Sequence, residues 1–371
     1  MSLKTETMVL NMGPQHPSTH GVLRLELEIE GEVIKKVIPH LGYLHRCFEK
    51  HAEAMQYNQV VPYTDRLDYL AAMGNNFGYV LAAEKLLGIQ VPERVEYIRV
   101  IMAELQRIAS HTVAIATNGA DIGALTPFLY LFRDREHILT IFEETCGARM
   151  LYNYMWIGGL SHDIHPDFVR KTKEFTNYFK NTIVEVDNLL SYNKIFIERT
   201  ANVGVLPADT AINYGATGPV LRGSGVKFDL RKEDPYSIYN RFDFDIPVGK
   251  GLQGTVGDCW DRYYVRMREM EQSLRIIEHA IDQIPEGDVQ SAIPKRIKPP
   301  KGTSYARVEN PRGELGYFLI SDGNTNPFRV KVRAPSFVNL EVFGELCKGH
   351  LVADVIAILG SIDIVLGEVD R

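Results

Sequence analysis

No C-x-x-C pair occurs anywhere in the chain. Its four cysteines, Cys47, Cys146, Cys259 and Cys347, are scattered through 371 residues. Zinc and iron–sulfur sites held by a single chain draw on clustered thiolates, so the spacing argues against either. A disulfide framework is equally unexpected in a chain of this length, and the cysteines read as buried, reduced thiols in a cytoplasmic protein. The N-terminal stretch MSLKTETMVLNMG is polar and lacks an apolar h-region, so it is not expected to be a secretion signal. No run of about 18 uncharged apolar residues is present, so no membrane span is expected. The most apolar late stretch, Leu351 to Leu366, is interrupted by Asp354 and Asp363. Membrane contact, if there is any, has to come through partner proteins. Nor is there a Lys/Arg-rich run, and with a net charge of -6 nucleic acid is not an expected partner. Gly223-Ser224-Gly225 lacks the strand-then-helix context of a phosphate-binding loop, and no strand-linked G-x-G-x-x-G signals NAD binding.

What is there suits a globular protein with a sizeable core: 45% hydrophobic and 24% charged residues. Leu23, Leu25, Leu27 and Ile29 alternate with Arg24, Glu26, Glu28 and Glu30, the period of a half-buried strand. Gly31 permits a turn into a second strand, Val33 to Ile38. Helical spacing then takes over. Helices are expected from about Asp65 to Leu87 with Gly88 as stop, from Pro92 along the stripe Val95, Ile98, Met102, Leu105 and Ile108, from Thr126-Pro127 towards Tyr154, from about 166 to 190, and from about 258 to 284. Residues 201–257 are rich in Gly and Pro and read as irregular. After the linker-like KRIKPPKG (295–302), strands are expected at Tyr305–Val308, Tyr317–Ile320 and Arg329–Arg333. The fold class is α+β: a long-helix bundle with small β elements at both ends. Its expected parts are 1–60, a β element with a loop; 61–300, the helical core; and 301–371, a C-terminal α/β part.

One loop stands out. Residues 13–24 read GPQHPSTHGVLR, with two histidines in a stretch stiffened by proline. On its residues alone it reads as a structural turn or as a rigid holder for an imidazole, the side chain that titrates near neutral pH. Tyr69 and Asp121, similarly, read alone as a core aromatic and a helix-terminus residue.

The segment GPQHPSTHGVLR resembles the signature of the 49-kilodalton-type (D) subunit of complex I, the NADH:quinone oxidoreductases. So do HLGYLHRCFEK (40–50), PYTDRLDYL (62–70), VEYIRVIMAELQRIASH (95–111), ADIGALTPF (120–128), LRGSGVKFDLRK (221–232), GELGYFLISDG (313–323), VKVRAPSFVNL (330–340) and GSIDIVLGEVDR (360–371). The resemblance implies a proton-translocating, membrane-associated respiratory oxidoreductase, inactive as a lone chain. It implies that His20 and Tyr69 bind the quinone headgroup, that Asp121 pairs with His20, and that Arg66 lies near a 4Fe-4S cluster on a neighbouring subunit. No cofactor is expected on this chain alone; ubiquinone or menaquinone is the substrate. The implied partners are the cluster-bearing B-type subunit, the C and I subunits and the membrane H subunit. The implied place is peripheral, on the cytoplasmic side of the cell membrane. These residue types suit the reaction, which needs two protons delivered within hydrogen-bond reach of the quinone carbonyls. Tyr69 offers a phenolic proton and His20 an imidazolium proton, and an aspartate beside a histidine fixes its tautomer and favours its charged form.

That family is related to the large subunit of nickel–iron hydrogenases, whose fold this chain is therefore expected to share. Those proteins bind their metals through two C-x-x-C pairs. Here the corresponding positions hold Asp68 and Ala71, and Val365 and Glu368, so no nickel–iron centre can form. Two rival readings follow: a scaffold subunit without chemistry, or a hydrogenase-like subunit that has lost its metals. The sequence departs from the family twice. Gly147-Ala148-Arg149-Met150 is followed by Leu151 where many members have a histidine that bonds the cluster, which points to a lower, weakly pH-dependent cluster potential and a low-potential acceptor such as menaquinone. The connection between Ile284 and Pro299 is also shorter than in many members. The remaining histidines, His40, His45, His51, His111, His162 and His165, read as polar or packing residues.

Overall fold

The computed structural model describes residues 6–14, 21–294 and 296–371. The chain opens on an antiparallel sheet, β1 (Thr7–Met12), β2 (Arg24–Glu30) and β3 (Val33–His40), in the order β1-β2-β3. The alternation behaves as its period requires. Leu25, Leu27 and Ile29 are buried, and the charged residues between them are half-exposed. Each such leucine, fully buried, contributes about 1.5–3 kcal/mol. β1 carries no turn signal in the sequence. It forms because its six residues pair in continuous register with β2, from Thr7↔Glu30 to Met12↔Leu25.

Two short helices follow, α1 (Phe48–Ala54) and α2 (Tyr57–Thr64), and then the long ones: α3 (Ala72–Leu87), α4 (Glu93–Asp121), α5 (Leu125–Cys146) and α6 (Phe168–Val186). A two-stranded ribbon, β4 (Met155–Trp156) with β5 (Gly159–Leu160), lies between the last two. Gly88 ends α3 in the left-handed conformation (φ 66°), as expected of a residue without Cβ. Gly147 (φ 77°) does the same for α5, which stops short of Tyr154. The helix expected from Asp65 begins only at Ala72. Asp68 Oδ1 accepts from the Leu70 N–H (3.1 Å), and the Asp65 carboxylate accepts from Asn76 and the Asn153 N–H, so that 65–71 is held as a turn.

α6 runs on into one π turn, Asp187–Ser191. α7 (Lys194–Thr200) follows, and the segment read as irregular then contains short helices between its loops: α8 (Ala208–Asn213), α9 (Gly218–Gly223) and α10 (Leu230–Glu233). The fifth long helix, α11 (Cys259–Ile281), is capped by Asp258, whose carboxylate accepts from the Asp261 N–H at 2.8 Å. The last part is a sheet of order β6-β7-β8, with β6 (Gly302–Asn310), β7 (Gly313–Ser321) and β8 (Arg329–Arg333), followed by α12 (Pro335–Glu341), α13 (Phe343–Cys347), α14 (Asp354–Ile362) and α15 (Leu366–Asp370). The architecture is α+β.

Two apolar cores hold these elements. The larger joins α2 to α6 and α11 to one face of the β6–β8 sheet; Phe77, Val80, Leu105 and Met267 lie in it with Tyr317, Leu319 and Val332. The smaller packs the first sheet onto the end of the chain, with Leu25, Leu27 and Ile34 beside Phe343, Val355, Ile358 and Leu359. Among the described residues no helix is long and apolar enough to cross a membrane.

Charge also enters the interior of the larger core. Arg231 bonds Glu104 (3.1 Å) and Asp229 (2.7 Å); Arg222 bonds Glu269 (2.7 Å) and Glu309 (2.8 Å); His111 bonds Glu269 (2.9 Å). All of these side chains are buried. Such a lattice adds little net stability over an apolar core, but removing one partner strands a charge, which costs about 3–5 kcal/mol.

Candidate functional site

Tyr69 lies in the 65–71 turn between α2 and α3, and neighbours on several elements fix that turn. Asn76, one turn into α3, donates to Thr64 Oγ1 (2.8 Å) and to Asp65. The Asn153 N–H donates to Asp65 Oδ2 (2.9 Å) and Gln106 of α4 to the Leu70 carbonyl (2.6 Å). Arg46 donates to the carbonyls of both Arg66 (2.6 Å) and Gly367 (3.2 Å). Burial pushes the Asp65 carboxyl up to about 6, against the bonds from Asn153 and Asn76.

A small cavity of about 50 Å³ opens beside Tyr69. Leu70, Val113 and Thr117 of α4, Arg312, and Asp363 to Leu366 line the rest of it. That is room for a few water molecules, not for a quinone ring. Val113, Thr117 and Asp121 are spaced four residues apart on α4, so Asp121 continues the cavity-lining stripe into the helix's last turn. Asp121 is half-buried there. Gly21 (φ 70°) packs nearby: a Cβ on it would meet Leu366 Cδ1 at 3.4 Å. His20 lies outside the described residues. The structure therefore brings Tyr69 and Asp121 to one end of α4.

Burial raises the Tyr69 phenol above its usual value, with Arg312 and Arg46 pulling it back and Asp68 adding to the rise. A neutral phenol suits a group that has a proton to give. Arg66 is exposed, its guanidinium 3.9 Å from Asp65. It lines a surface cleft of about 440 Å³ with Arg46, Phe48, His51, Pro62, Tyr63 and Leu67.

The segments 68–71 and 365–368, expected to correspond to the thiolate pairs of nickel–iron hydrogenases, meet in the fold. A Cβ on Gly367 would sit 2.4 Å from the Leu67 carbonyl oxygen. Between the segments, Arg312 donates from Nη1 to Asp68 Oδ2 (2.7 Å) and from Nη2 to Asp363 Oδ1 (3.1 Å). Arg312 is buried, in the turn between β6 and β7. Asp363 takes the left-handed conformation (φ 52°). Sequence reasoning misses Arg312, Asp363 and Thr117 as site residues. Their positions follow from chain crossings that no local pattern encodes. Among the described residues, no three His, Cys, Asp or Glu side chains gather so as to hold a metal ion.

The family described as "Respiratory-chain NADH dehydrogenase, 49 Kd subunit" matches residues 121–299 and 291–371. Curated relatives match over the full chain. An NADH-quinone oxidoreductase D subunit of Cytophaga hutchinsonii is 57% identical over 380 residues, covering 100% of this chain and 97% of the relative. The NADH-quinone oxidoreductase D subunits of Chlorobaculum tepidum and Pelodictyon phaeoclathratiforme are 58% and 59% identical over 373 residues, each covering 100% of this chain and 93% of the relative.

Proposed function

Because the chain belongs to the family of the 49 kDa subunit of respiratory-chain NADH dehydrogenases, we propose that it forms one wall of the site where a multisubunit, proton-translocating oxidoreductase reduces its quinone. Tyr69 gives one proton to the headgroup and His20 the other, with Asp121 orienting the imidazole. Electrons reach the quinone from an iron–sulfur cluster on the B-type partner, which faces Arg66 and the cleft beside it. The C and I subunits and the membrane H subunit complete the surroundings, and the assembly sits on the cytoplasmic side of the membrane.

The observation that carries this reading is the convergence at one end of α4. Tyr69, held in a turn that five neighbouring groups fix, borders the same cavity as Thr117, one helical turn before Asp121. A phenol kept neutral and half-buried beside a guanidinium is equipped to donate a proton to a carbonyl oxygen and to recover it. Removing a positioned acid of this kind costs about 10²–10⁴-fold in rate. Tyr69→Phe is therefore expected to abolish quinone reduction by the purified complex while the full set of subunits still assembles. Unchanged turnover would favour a scaffold subunit.

Leu151 supports menaquinone as the substrate. It stands in the left-handed conformation (φ 64°) on the segment that bonds Asp65, and its side chain has no hydrogen bond to offer a neighbouring cluster. Without that donor the reduced cluster is less stabilised, and its potential falls.

A further inference from the structure

Beside Tyr69, five charged or chargeable side chains are packed in the interior: Asp68, Asp363 and Glu368 against Arg312 and Arg266. Three carboxyls face two guanidiniums, with Arg262 and Glu269 beyond Arg266, and a proton kept on one carboxyl eases the repulsion among the three. The hydrogen bonds identify which. Asp68 accepts from Arg312 (2.7 Å) and from the Leu70 N–H (3.1 Å), and Asp363 accepts from Arg312 (3.1 Å) with Arg266 at 3.9 Å. Glu368 has no guanidinium bond among the described residues. Its Oε1 accepts from the Ser336 N–H (2.9 Å) and the Ser336 hydroxyl, and its Oε2, fully buried, has no partner among them. A buried carboxylate oxygen without a partner is costly, and a neutral carboxyl there costs less because it carries no charge.

We propose that Glu368 is a positioning residue for Tyr69: neutral, it leaves Arg312 to hold Asp68 and Asp363; ionised, it competes for Arg312 and loosens the turn that carries Tyr69. The groups that face it are Asp68 from the 65–71 turn, Arg312 from the β6–β7 turn, Tyr317 from β7 and Ser336 from α12, with Asp363 and Arg266 beyond Arg312. Burial, and then the charge of Asp68, push the Glu368 carboxyl up to about 8, while Ser336 and Arg312 pull it down. Arg312 acts on both carboxylates: it bonds Asp68, and its charge also acts on Glu368. Ionisation of Glu368 thus reaches Tyr69 through one guanidinium and one peptide bond, since Asp68 precedes Tyr69 in the chain.

This inference rests on the quinone-site reading, and the experiment separates the two. Quinone reduction by the intact complex is measured from pH 6 to pH 9.5 for the parent, Glu368→Gln, Ser336→Ala and Tyr69→Phe. The parent is expected to lose about half its turnover near pH 8 and about tenfold one unit higher, as a single ionisation requires. Glu368→Gln keeps the neutral hydrogen-bonding shape and is expected to match the parent at pH 7 and to lack the alkaline fall. Ser336→Ala removes a bond that favours the charged form, so its fall moves to higher pH. A Glu368→Gln complex that falls as the parent does overturns the proposal. So does one that is inactive at every pH, which would make Glu368 a proton donor instead. Should Glu368→Gln not assemble, an unmoved fall in Ser336→Ala overturns it. Unchanged turnover in Tyr69→Phe removes the quinone-site reading itself, whatever the Glu368 variants do.

Discussion

Arg312 donates to Asp68 at 2.7 Å with both side chains fully buried, and so ties the turn between β6 and β7 to the turn that carries Tyr69, 244 positions from Asp68 to Arg312 along the chain. The same guanidinium holds Asp363 at 3.1 Å. Arg312→Met leaves buried Asp68 without a guanidinium and Asp363 with only the longer pair to Arg266 at 3.9 Å. The expected loss is about 3–5 kcal/mol of stability, seen as a lower thermal midpoint and a smaller yield of assembled complex. Arg312→Lys keeps the charge but not the two-armed geometry, and should lose less stability while still slowing quinone reduction.

Gly367 lets the last helix lie against the Tyr69 turn. An alanine Cβ would come within 2.4 Å of the Leu67 carbonyl oxygen and 3.1 Å of the Arg66 carbonyl oxygen, both backbone atoms that cannot swing aside. Gly367→Ala is expected to cost about 1–3 kcal/mol and to lower turnover through displacement of Tyr69. Wild-type turnover with an unchanged melting midpoint would show that the two segments are free to separate.

Two buried groups make opposite contributions to stability between about pH 4 and 6.5. Burial lowers His111 to about 4, even with Glu269 bonded to it. Its unfolded form therefore binds the extra proton, and its contribution is present above about 6.5 and lost as pH falls towards 4. Asp65, pushed up to about 6, binds its proton more tightly when folded. Its contribution is greatest below about 3.9 and lost as pH rises through 6. Relative to the parent, His111→Gln should become progressively less stable as pH rises over this window, and Asp65→Asn progressively more stable. Denaturation midpoints of the three proteins at pH 4, 5, 6 and 7 check both signs; parallel curves would contradict them.

Leu151→His returns a hydrogen-bond donor to the segment beside Asp65. If Arg66 and this segment face the partner's cluster, the variant should raise the cluster potential and make it fall with pH, where the parent varies little. Redox titration followed by electron paramagnetic resonance at pH 6 and pH 8 reads this directly. A parent potential that already shifts strongly with pH would refute the assignment.

Much of this protein is legible in its residues. Alternation in 23–30 sets β2, helical stripes set the five long helices, and Gly88 sets one of their ends, because a period or a missing Cβ acts over a few residues. The motifs around Tyr69 and Asp121, through resemblance, mark which positions to inspect. The turn at 65–71 is hidden, since Asp65 and Asp68 sit at helical spacing and only their side-chain bonds stop the helix. Arg312 is hidden for a different reason. Nothing local in Pro311-Arg312-Gly313 signals burial, which depends on acids brought from residues 68 and 363. The sequence alone thus determined the elements and the proton-bearing residue types. Only the tertiary structure decided that one guanidinium holds both ends of the chain's chemistry together, because desolvation and charge pairing are set by neighbours distant along the chain.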